Sequence, residues 1–189
     1  HLQVAYVRLS TMKKVLLTLT LGLGILTVNA QIQKLAGPRL GFTILTHGSS
    51  ADFINDRAED YNGDYTEDQK MAFISQYGWQ WESRFADNGD VAGLVEWVVL
   101  AGGMEQGMFL PSVSSLVGMR TGSGFEVVGG PNLSLSGIGM VFTIGKNFQS
   151  GNLNLPVNIA FVPGKSSAWG DGDPTGARIS LMVGFNLAK

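Results

Sequence analysis

The sequence predicts an all-β protein, an eight-stranded antiparallel up-and-down transmembrane β-barrel. Two observations support this prediction: several segments alternate apolar and polar residues, and an export signal precedes them. The clearest segment runs from residue 178 to residue 187, where Ile179, Leu181, Val183 and Phe185 alternate with polar or small residues. Side chains on a strand point to opposite faces in turn, so this segment has one apolar face and one more polar face.

The N-terminal region predicts a signal peptide over residues 12–30. Met12 and two lysines precede an apolar run, and Val28-Asn29-Ala30 has the small residues of a cleavage site, so we expect cleavage near Ala30. The apolar run is shorter than the roughly 20 residues that a membrane-spanning helix needs. Residues 1–11 are expected to be an upstream extension that is not native, and residues 31–189 form the barrel domain.

Composition excludes several kinds of protein. The chain has no cysteine, which excludes zinc–thiolate sites and cysteine nucleophiles, and its formal net charge is −2. No basic face is present for a nucleic acid, so no nucleic-acid partner is expected. We also expect no cofactor and no metal site. Without disulfides, a small exported protein must be stabilised by a sizeable core or by a membrane.

After the signal, no helical apolar period of useful length appears, and the chain divides into strand-like runs separated by turn residues. Pro111 and the Gly129-Gly130-Pro131 run interrupt two of the runs. The eight predicted strands cover residues 39–46, 73–86, 91–102, 107–120, 125–133, 137–145, 152–162 and 177–188.

The predicted connections are of two kinds. Residues 87–90, 121–124 and 146–151 form short turns, whereas residues 47–72 and 163–176 form long loops. This alternation is typical of outer-membrane barrels, and an even strand count leaves both termini in the periplasm. The first long loop is acidic, and the capping-box spacing of Thr66 and Gln69 predicts a helical turn in it.

Alternation alone does not reveal which face of the strands meets lipid, but the polar residues discriminate. The predicted strands contain no lysine; their charges are arginines and glutamates of nearly balanced number. Arginine satisfies buried carboxylates well, so we predict that the polar face lines a narrow, side-chain-filled lumen. The predicted lumen charge network comprises Arg39, Glu82, Arg84, Glu96, Arg120, Glu126 and Arg178. The predicted lipid-facing belt comprises Tyr77, Trp79, Trp81, Phe85, Leu153, Leu155, Val157, Ile159, Phe161, Ile179, Leu181, Val183 and Phe185.

The mature sequence resembles the small outer-membrane β-barrels of the OmpA- and OmpX-like kind. The resemblance rests on the signal ending Val-Asn-Ala-Gln, on the alternating strands and on the closing strand from Ala177 to Leu187. It departs from them at its end, Leu187-Ala188-Lys189, because such barrels often end on an aromatic residue. The resemblance implies a location in the outer membrane of a Gram-negative bacterium, with outer-membrane lipid around the barrel.

Candidate catalytic residues are few. His47, the one histidine after the signal, is followed by Ser49, Ser50 and Asp52, and some small outer-membrane barrels are similar in using a rim histidine for acyl transfer. Adjacency in sequence does not supply the required geometry, so we expect a protein that is not an enzyme. His47 is the candidate catalytic residue of the alternative, a lipid-modifying outer-membrane enzyme.

The expected function is a structural or interaction role, in which the barrel presents extracellular loops. A protein or a divalent ion could contact the acidic loop 47–72. A wide channel is not expected from an eight-stranded barrel. A second alternative is a soluble secreted β-barrel that binds an apolar ligand, in which case the apolar faces would point inward.

Overall fold

The computed structural model describes residues 34–62, 71–166 and 174–187, which belong to one compact unit. The predicted signal peptide and residues 63–70, including the capping box of Thr66 and Gln69, lie outside the described residues. The strands are β1 (Lys34–Leu45), β2 (Ala72–Asp87), β3 (Val91–Gly102), β4 (Leu110–Thr121), β5 (Phe125–Ser134), β6 (Gly137–Ser150), β7 (Leu153–Val162), β8 (Arg178–Gly184) and β9 (Asn186–Leu187). The helices are α1 (Ser49–Asn62) and a 3-10 turn (Met104–Gln106).

Each strand from β1 to β8 pairs antiparallel with the next, and β8 pairs back to β1, with Arg39 opposite Gly184. The ladder therefore closes on itself. The two-residue β9 continues the line of β8 beyond Phe185 and pairs with β7. The predicted eight-stranded antiparallel up-and-down barrel is confirmed.

The two ends of the barrel differ. One end, here called the turn end, carries the short connections at residues 88–90, 122–124 and 151–152. The other, here called the loop end, carries α1, the 3-10 turn and the connection between β7 and β8. Gly48 joins two of these segments: its backbone has a φ of 150°, and a Cβ there would lie 2.4 Å from the nitrogen of Gly176. The start of α1 and the last loop are thus held together.

Two strands are longer than predicted. β1 begins at Lys34 and not at residue 39, and β6 continues to Ser150 and not to residue 145. Pro38 lies inside β1, opposite Trp79 of β2, and is tolerated there because the pairing of β1 with β8 begins only at Arg39. Lys34 and Lys146 consequently lie in strands, contrary to the prediction that strands contain no lysine. Both are exposed residues near the turn end.

The Gly129-Gly130-Pro131 run does not interrupt β5. The ladder between β4 and β5 instead has a gap between the Ser114–Asn132 pair and the Val117–Gly129 pair. Pro131 has no N–H to give to a ladder, which accounts for a gap at this place. The strand continues because β6 pairs with all of β5 on its other side.

The 14-residue helix α1 is a structural element that the sequence did not predict. It buries Ala51 and Ile54 against Leu45, Ala72 and Ile74, forming a small apolar cluster at the loop end. Its apolar face is only a few residues wide, and its exposed face is acidic, so the helical period is faint in the sequence. No helix among the described residues is long and apolar enough to cross a bilayer.

Candidate functional site

The outward face of the barrel is apolar over most of its height. Tyr77, Trp79, Trp81 and Phe85 on β2 lie on this face, with between 43% and 55% of each side chain exposed. The other belt positions predicted on β7, β8 and the residue after β8 lie on the same outward face: Leu153, Leu155, Val157, Ile159, Phe161, Ile179, Leu181, Val183 and Phe185. Further members come from the other strands, among them Phe42, Trp97, Val117, Val127 and Ile144.

Charged side chains are nearly absent from this outward face. Among the described strand residues, its charges are Lys34 and Lys146, both near the turn end. The Lys146 ammonium lies 5.5 Å from the ring centroid of Phe148, also on that face. The remaining outward positions form an uninterrupted uncharged surface, here called the apolar belt.

The inward face holds a compact cluster of four charged residues, here called the charge cluster. Arg120 on β4 donates two hydrogen bonds of 2.6 Å to Glu82 on β2, one from each terminal nitrogen. The Nε of Arg120 donates to Oε2 of Glu126 at 2.9 Å, and the side chain of Asn158 donates to the other oxygen at 3.2 Å. One guanidinium therefore bridges carboxylates from two strands, the geometry in which arginine binds most strongly.

Glu96 on β3 is the fourth member of the charge cluster and is bound differently. It is completely buried, and its nearest ionic partner is the Nη2 of Arg120, 3.9 Å from Oε1. Neither carboxylate oxygen has a hydrogen-bond partner. Carboxylate oxygens of Glu82, Glu96 and Glu126 lie within 4.8 Å of one another. The positive charge of Arg120 is what allows three carboxylates to share this space, since unpaired buried charges are costly.

The other three predicted network arginines do not all pair with carboxylates. Arg84 lies 3.6 Å from Glu82 and 3.4 Å from Asp87. Arg39 instead donates to the side chains of Gln80 and Asn186, each at 2.9 Å.

Arg178, near the loop end, donates to Ser134 at 3.1 Å and to Asn132 at 3.0 Å. Arg39 and Arg178 are thus hydrogen-bonded to neutral side chains and not to carboxylates. Neutral side-chain oxygens satisfy arginine N–H groups equally well in geometry.

The sequence predicted a lumen that is filled with side chains. The structure shows instead that part of its length is open. A cavity of about 420 Å³ occupies its loop-end half, here called the lumen cavity. Its mouth is bordered by Ser49, Phe53 and Leu135, and its floor includes Arg39 and Glu96. Its wall is largely apolar, with Ile74, Val98, Leu100, Leu116, Val141 and Met182 among its residues.

The sequence contains a signal for this cavity that strand alternation obscured. The run Val91 to Leu100 is apolar at nearly every position, so β3 has two apolar faces. Leu94 and Val98 point into the barrel, whereas Trp97 and Val99 point out. A continuous apolar run in a strand indicates apolar contact on both sides, here the apolar belt outside and the cavity wall inside.

The loop-end rim of the lumen cavity carries positive charge. Arg178 lines the cavity, and Lys165, in the loop that follows β7, donates a hydrogen bond to the carbonyl oxygen of Ile138. Desolvation and the nearby charge of Arg178 lower the pKa of Lys165. Two cations therefore lie near one another at this rim, and no carboxylate pairs with either in the part of the chain that the structure describes.

His47 lies at the loop end, just after β1. Its side chain is 70% exposed, and its Nδ1 is 4.0 Å from Oδ1 of Asp52. No hydrogen bond joins it to Ser49 or Ser50, which begin α1, within the described chain. The structure thus brings the histidine near an acid but not into the hydrogen-bonded triad that nucleophilic catalysis uses.

The acidic loop 47–72 is described only in part. Asp52, Asp56 and Glu59 lie on the exposed face of α1. Within the described ranges, the one group of carboxylates with metal-ligand spacing is in the lumen, formed by Glu82, Glu96 and Glu126, and not in this loop. An ion contact at the loop stays a prediction.

Comparison with known proteins shows a structural likeness and no match in sequence. No family model matches the sequence, and no curated protein matches it. The structure is similar to that of Ail, the attachment invasion locus protein of Yersinia pestis, solved in complex with the heparin analogue sucrose octasulfate. The TM-score is 0.41 and the sequence identity 10%, and the match covers 82% of this chain and 98% of Ail.

Proposed function

We propose that this protein is an outer-membrane β-barrel with a structural or interaction role, which presents the segments at its loop end to the outside of the cell. The apolar belt is the observation that carries the proposal. Lipid is the surrounding in which such a face is stable. Apolar side chains are unfavourable in contact with water and favourable in contact with hydrocarbon.

The size of the apolar belt argues against a water-soluble barrel. Soluble monomers rarely expose a contiguous apolar patch larger than a few hundred Å². Here large apolar side chains such as Trp79, Phe142 and Ile159 are exposed on strands all around the barrel. The soluble alternative requires the alternating apolar faces to point inward, the opposite of their observed direction.

The distribution of charge supports the same proposal. The interior holds the buried charge cluster, and the outward charges of the described strands, Lys34 and Lys146, lie near the turn end. Charged side chains on a lipid-facing wall are costly at mid-height and tolerated near the interface. The barrel thus has the charge pattern of a wall that crosses a bilayer, with polar groups inside and at its margin.

The loop end is the surface that such a barrel would present outside the cell. Short turns face the periplasm and longer loops face outward in outer-membrane barrels. Here α1, the 3-10 turn and the connection between β7 and β8 all lie at one end, and Asp52, Asp56 and Glu59 give α1 an acidic exposed face. This surface suits contact with a cationic partner group.

Cell fractionation combined with electrophoresis tests the proposal. The full chain should be recovered with outer membranes and should migrate differently on gels with and without boiling, because a folded barrel resists detergent at room temperature. Extraction with carbonate or urea separates an embedded barrel from a peripheral protein. Recovery as a soluble periplasmic protein, with equal migration in both gel lanes, would overturn the membrane assignment.

A further inference from the structure

We infer that the lumen cavity is a binding site for a single-chain amphiphile with an anionic head, whose apolar chain lies in the cavity and whose head lies at Arg178. This inference goes beyond the proposed membrane role. It rests on three features: a cavity of ligand size, an apolar wall, and a rim cation whose hydrogen-bond partners in the described chain are all neutral.

The cavity has the dimensions and lining of a ligand site. Its volume of about 420 Å³ falls within the range of about 300–1,000 Å³ that is typical of small-molecule pockets. Leu100, Leu116, Val141 and Met182 contribute its apolar wall. An alkyl chain placed there would leave water for apolar surface, which is favourable in proportion to the area removed from water.

The floor of the cavity closes the path toward the turn end. Arg39 is bonded to Gln80 and Asn186, and the oxygens of Glu96 are shielded from solvent. Glu96 is the member of the charge cluster that forms part of this floor, whereas Glu82, Arg120 and Glu126 do not line the cavity. A bound chain would end on this floor, so the ligand must enter and leave through the loop end.

The rim supplies the site for the head group. Arg178 is the first residue of β8, points into the lumen and uses two of its N–H groups on Asn132 and Ser134. Arginine has five N–H donors in a rigid fork, so three remain for a ligand. Unlike Arg120, whose charge is matched by Glu82 and Glu126, Arg178 has no ion pair in the described chain.

The charge near the head site selects an anion. Lys165 adds a second positive charge at this end of the lumen: its ammonium donates to the carbonyl oxygen of Ile138, and Ile138 pairs with Leu133, which lies between the two residues that Arg178 contacts. Charge-assisted hydrogen bonds to a carboxylate or phosphate are roughly twice as strong as neutral ones. A cationic head would meet repulsion from both residues, and an uncharged head would leave the charge of Arg178 unmatched.

Methionine methyl NMR on the full chain in lipid nanodiscs tests the inference directly. Met182 lines the cavity, whereas Met119 and Met140 lie on the outward face and report lipid partitioning alone. Titration with decanoate should shift the Met182 methyl resonance with saturation, while the two outward methyls change without saturation. Decyl phosphate serves as a second probe. The probe that binds with higher affinity shows whether the natural ligand has a carboxylate head or a phosphate head. Binding of either one supports the inference.

Two substitutions separate head recognition from chain recognition. Arg178→Gln should weaken decanoate binding about tenfold, the value of one charge-assisted hydrogen bond, and leave the binding of 1-decanol unchanged. Arg84→Gln, at the other end of the lumen, is the matched control and should leave both affinities unchanged. Ala160→Leu should fill part of the cavity and weaken both ligands.

Heat-dependent gel migration checks that each variant is folded. Absence of a saturable Met182 shift, or equal decanoate affinity in the Arg178→Gln variant, would overturn the inference. The test is separable from the membrane assignment, because Met182 lies inside the barrel whether or not lipid surrounds it. If the protein proves soluble, the same titration can be run in buffer.

Discussion

Gly184 on β8 lies directly opposite Arg39 on β1, and a Cβ at Gly184 would be 2.2 Å from the Nη1 of that arginine. The buried guanidinium therefore occupies the space that any other residue at position 184 would fill. Arg39 reaches Gln80 and Asn186 from this place and thereby links β1 to β2 and to β9.

Gly184→Ala should destabilise the barrel by about 1–3 kcal/mol, because the added methyl overpacks the lumen around Arg39. Urea denaturation of the protein folded into lipid vesicles measures the effect. Gly139→Ala is the matched control, since a Cβ there meets only Val162 at an ordinary distance of 3.5 Å. Equal midpoints for the two variants would contradict the close approach of Arg39.

Arg120→Met should cost about 3–5 kcal/mol of stability, because it leaves Glu82, Glu96 and Glu126 together in the lumen with no cation between them. The same denaturation assay measures the loss. Adding Glu82→Gln and Glu126→Gln to this variant should restore part of the stability, since neutral amides remove the repulsion. A triple variant no more stable than the single one would show that the ion pairs are not the cause.

Ile144→Lys should destabilise the protein by about 2–4 kcal/mol if the middle of the apolar belt is in hydrocarbon. Phe148→Lys, on the same face of β6 and closer to the turn end, is its control and should cost about 0–1 kcal/mol. Lys146 already lies between these two positions. Insertion efficiency and urea midpoints in vesicles compare the variants. The same cost at both positions would place neither of them in the bilayer centre.

Glu105→Gln should loosen the connection between β3 and β4. Its carboxylate accepts a hydrogen bond of 2.7 Å from the backbone nitrogen of Ser75 and another from the Ser75 hydroxyl, so it fastens the 3-10 turn to β2. Amide hydrogen exchange at Ser75 should become faster by about tenfold, equivalent to roughly 1.4 kcal/mol of local protection. Glu59→Gln on α1 provides the comparison. Unchanged exchange at Ser75 would mean that Glu105 does not hold the turn.

His47→Ala should leave both stability and lipid A acylation unchanged. The exposed pair with Asp52 is separated by 4.0 Å, and surface ion pairs of this kind contribute about 0–1 kcal/mol. Mass spectrometry of lipid A from cells with and without the variant checks the second expectation. A change in acyl content that follows the substitution would revive the lipid-modifying alternative.

The fold could be predicted from the sequence because its strongest signal is local. Alternation in β2, β7 and β8 shows directly which side chains share a face. In a closed barrel, every strand alternates in the same way between inward and outward side chains. The boundaries of β1 and β6 were less predictable. Whether Pro38 is tolerated in β1 depends on where its pairing with β8 ends. The end of that pairing is set by the tertiary fold and not by the local sequence.

The lumen was predicted in part, for a physical reason. The sequence indicates that Glu82, Arg120 and Glu126 lie on polar faces, but their convergence depends on the register of four strands. The lumen cavity depends further on which inward residues are small, such as Ser112 and Ala160, and on their levels in the barrel. Helix α1 was missed because, among its described side chains, the buried apolar residues are only Ala51 and Ile54.

The charge cluster closes the lumen at its own level. Arg120 and its carboxylates cross-link β2, β4 and β5 across the lumen, and Arg39 fastens β1 to the same level. Because side chains occupy that level, the described part of the barrel encloses a pocket that ends at the charge cluster, and not a channel. A molecule held in this pocket would therefore contact the loop-end side of the barrel and not its turn end.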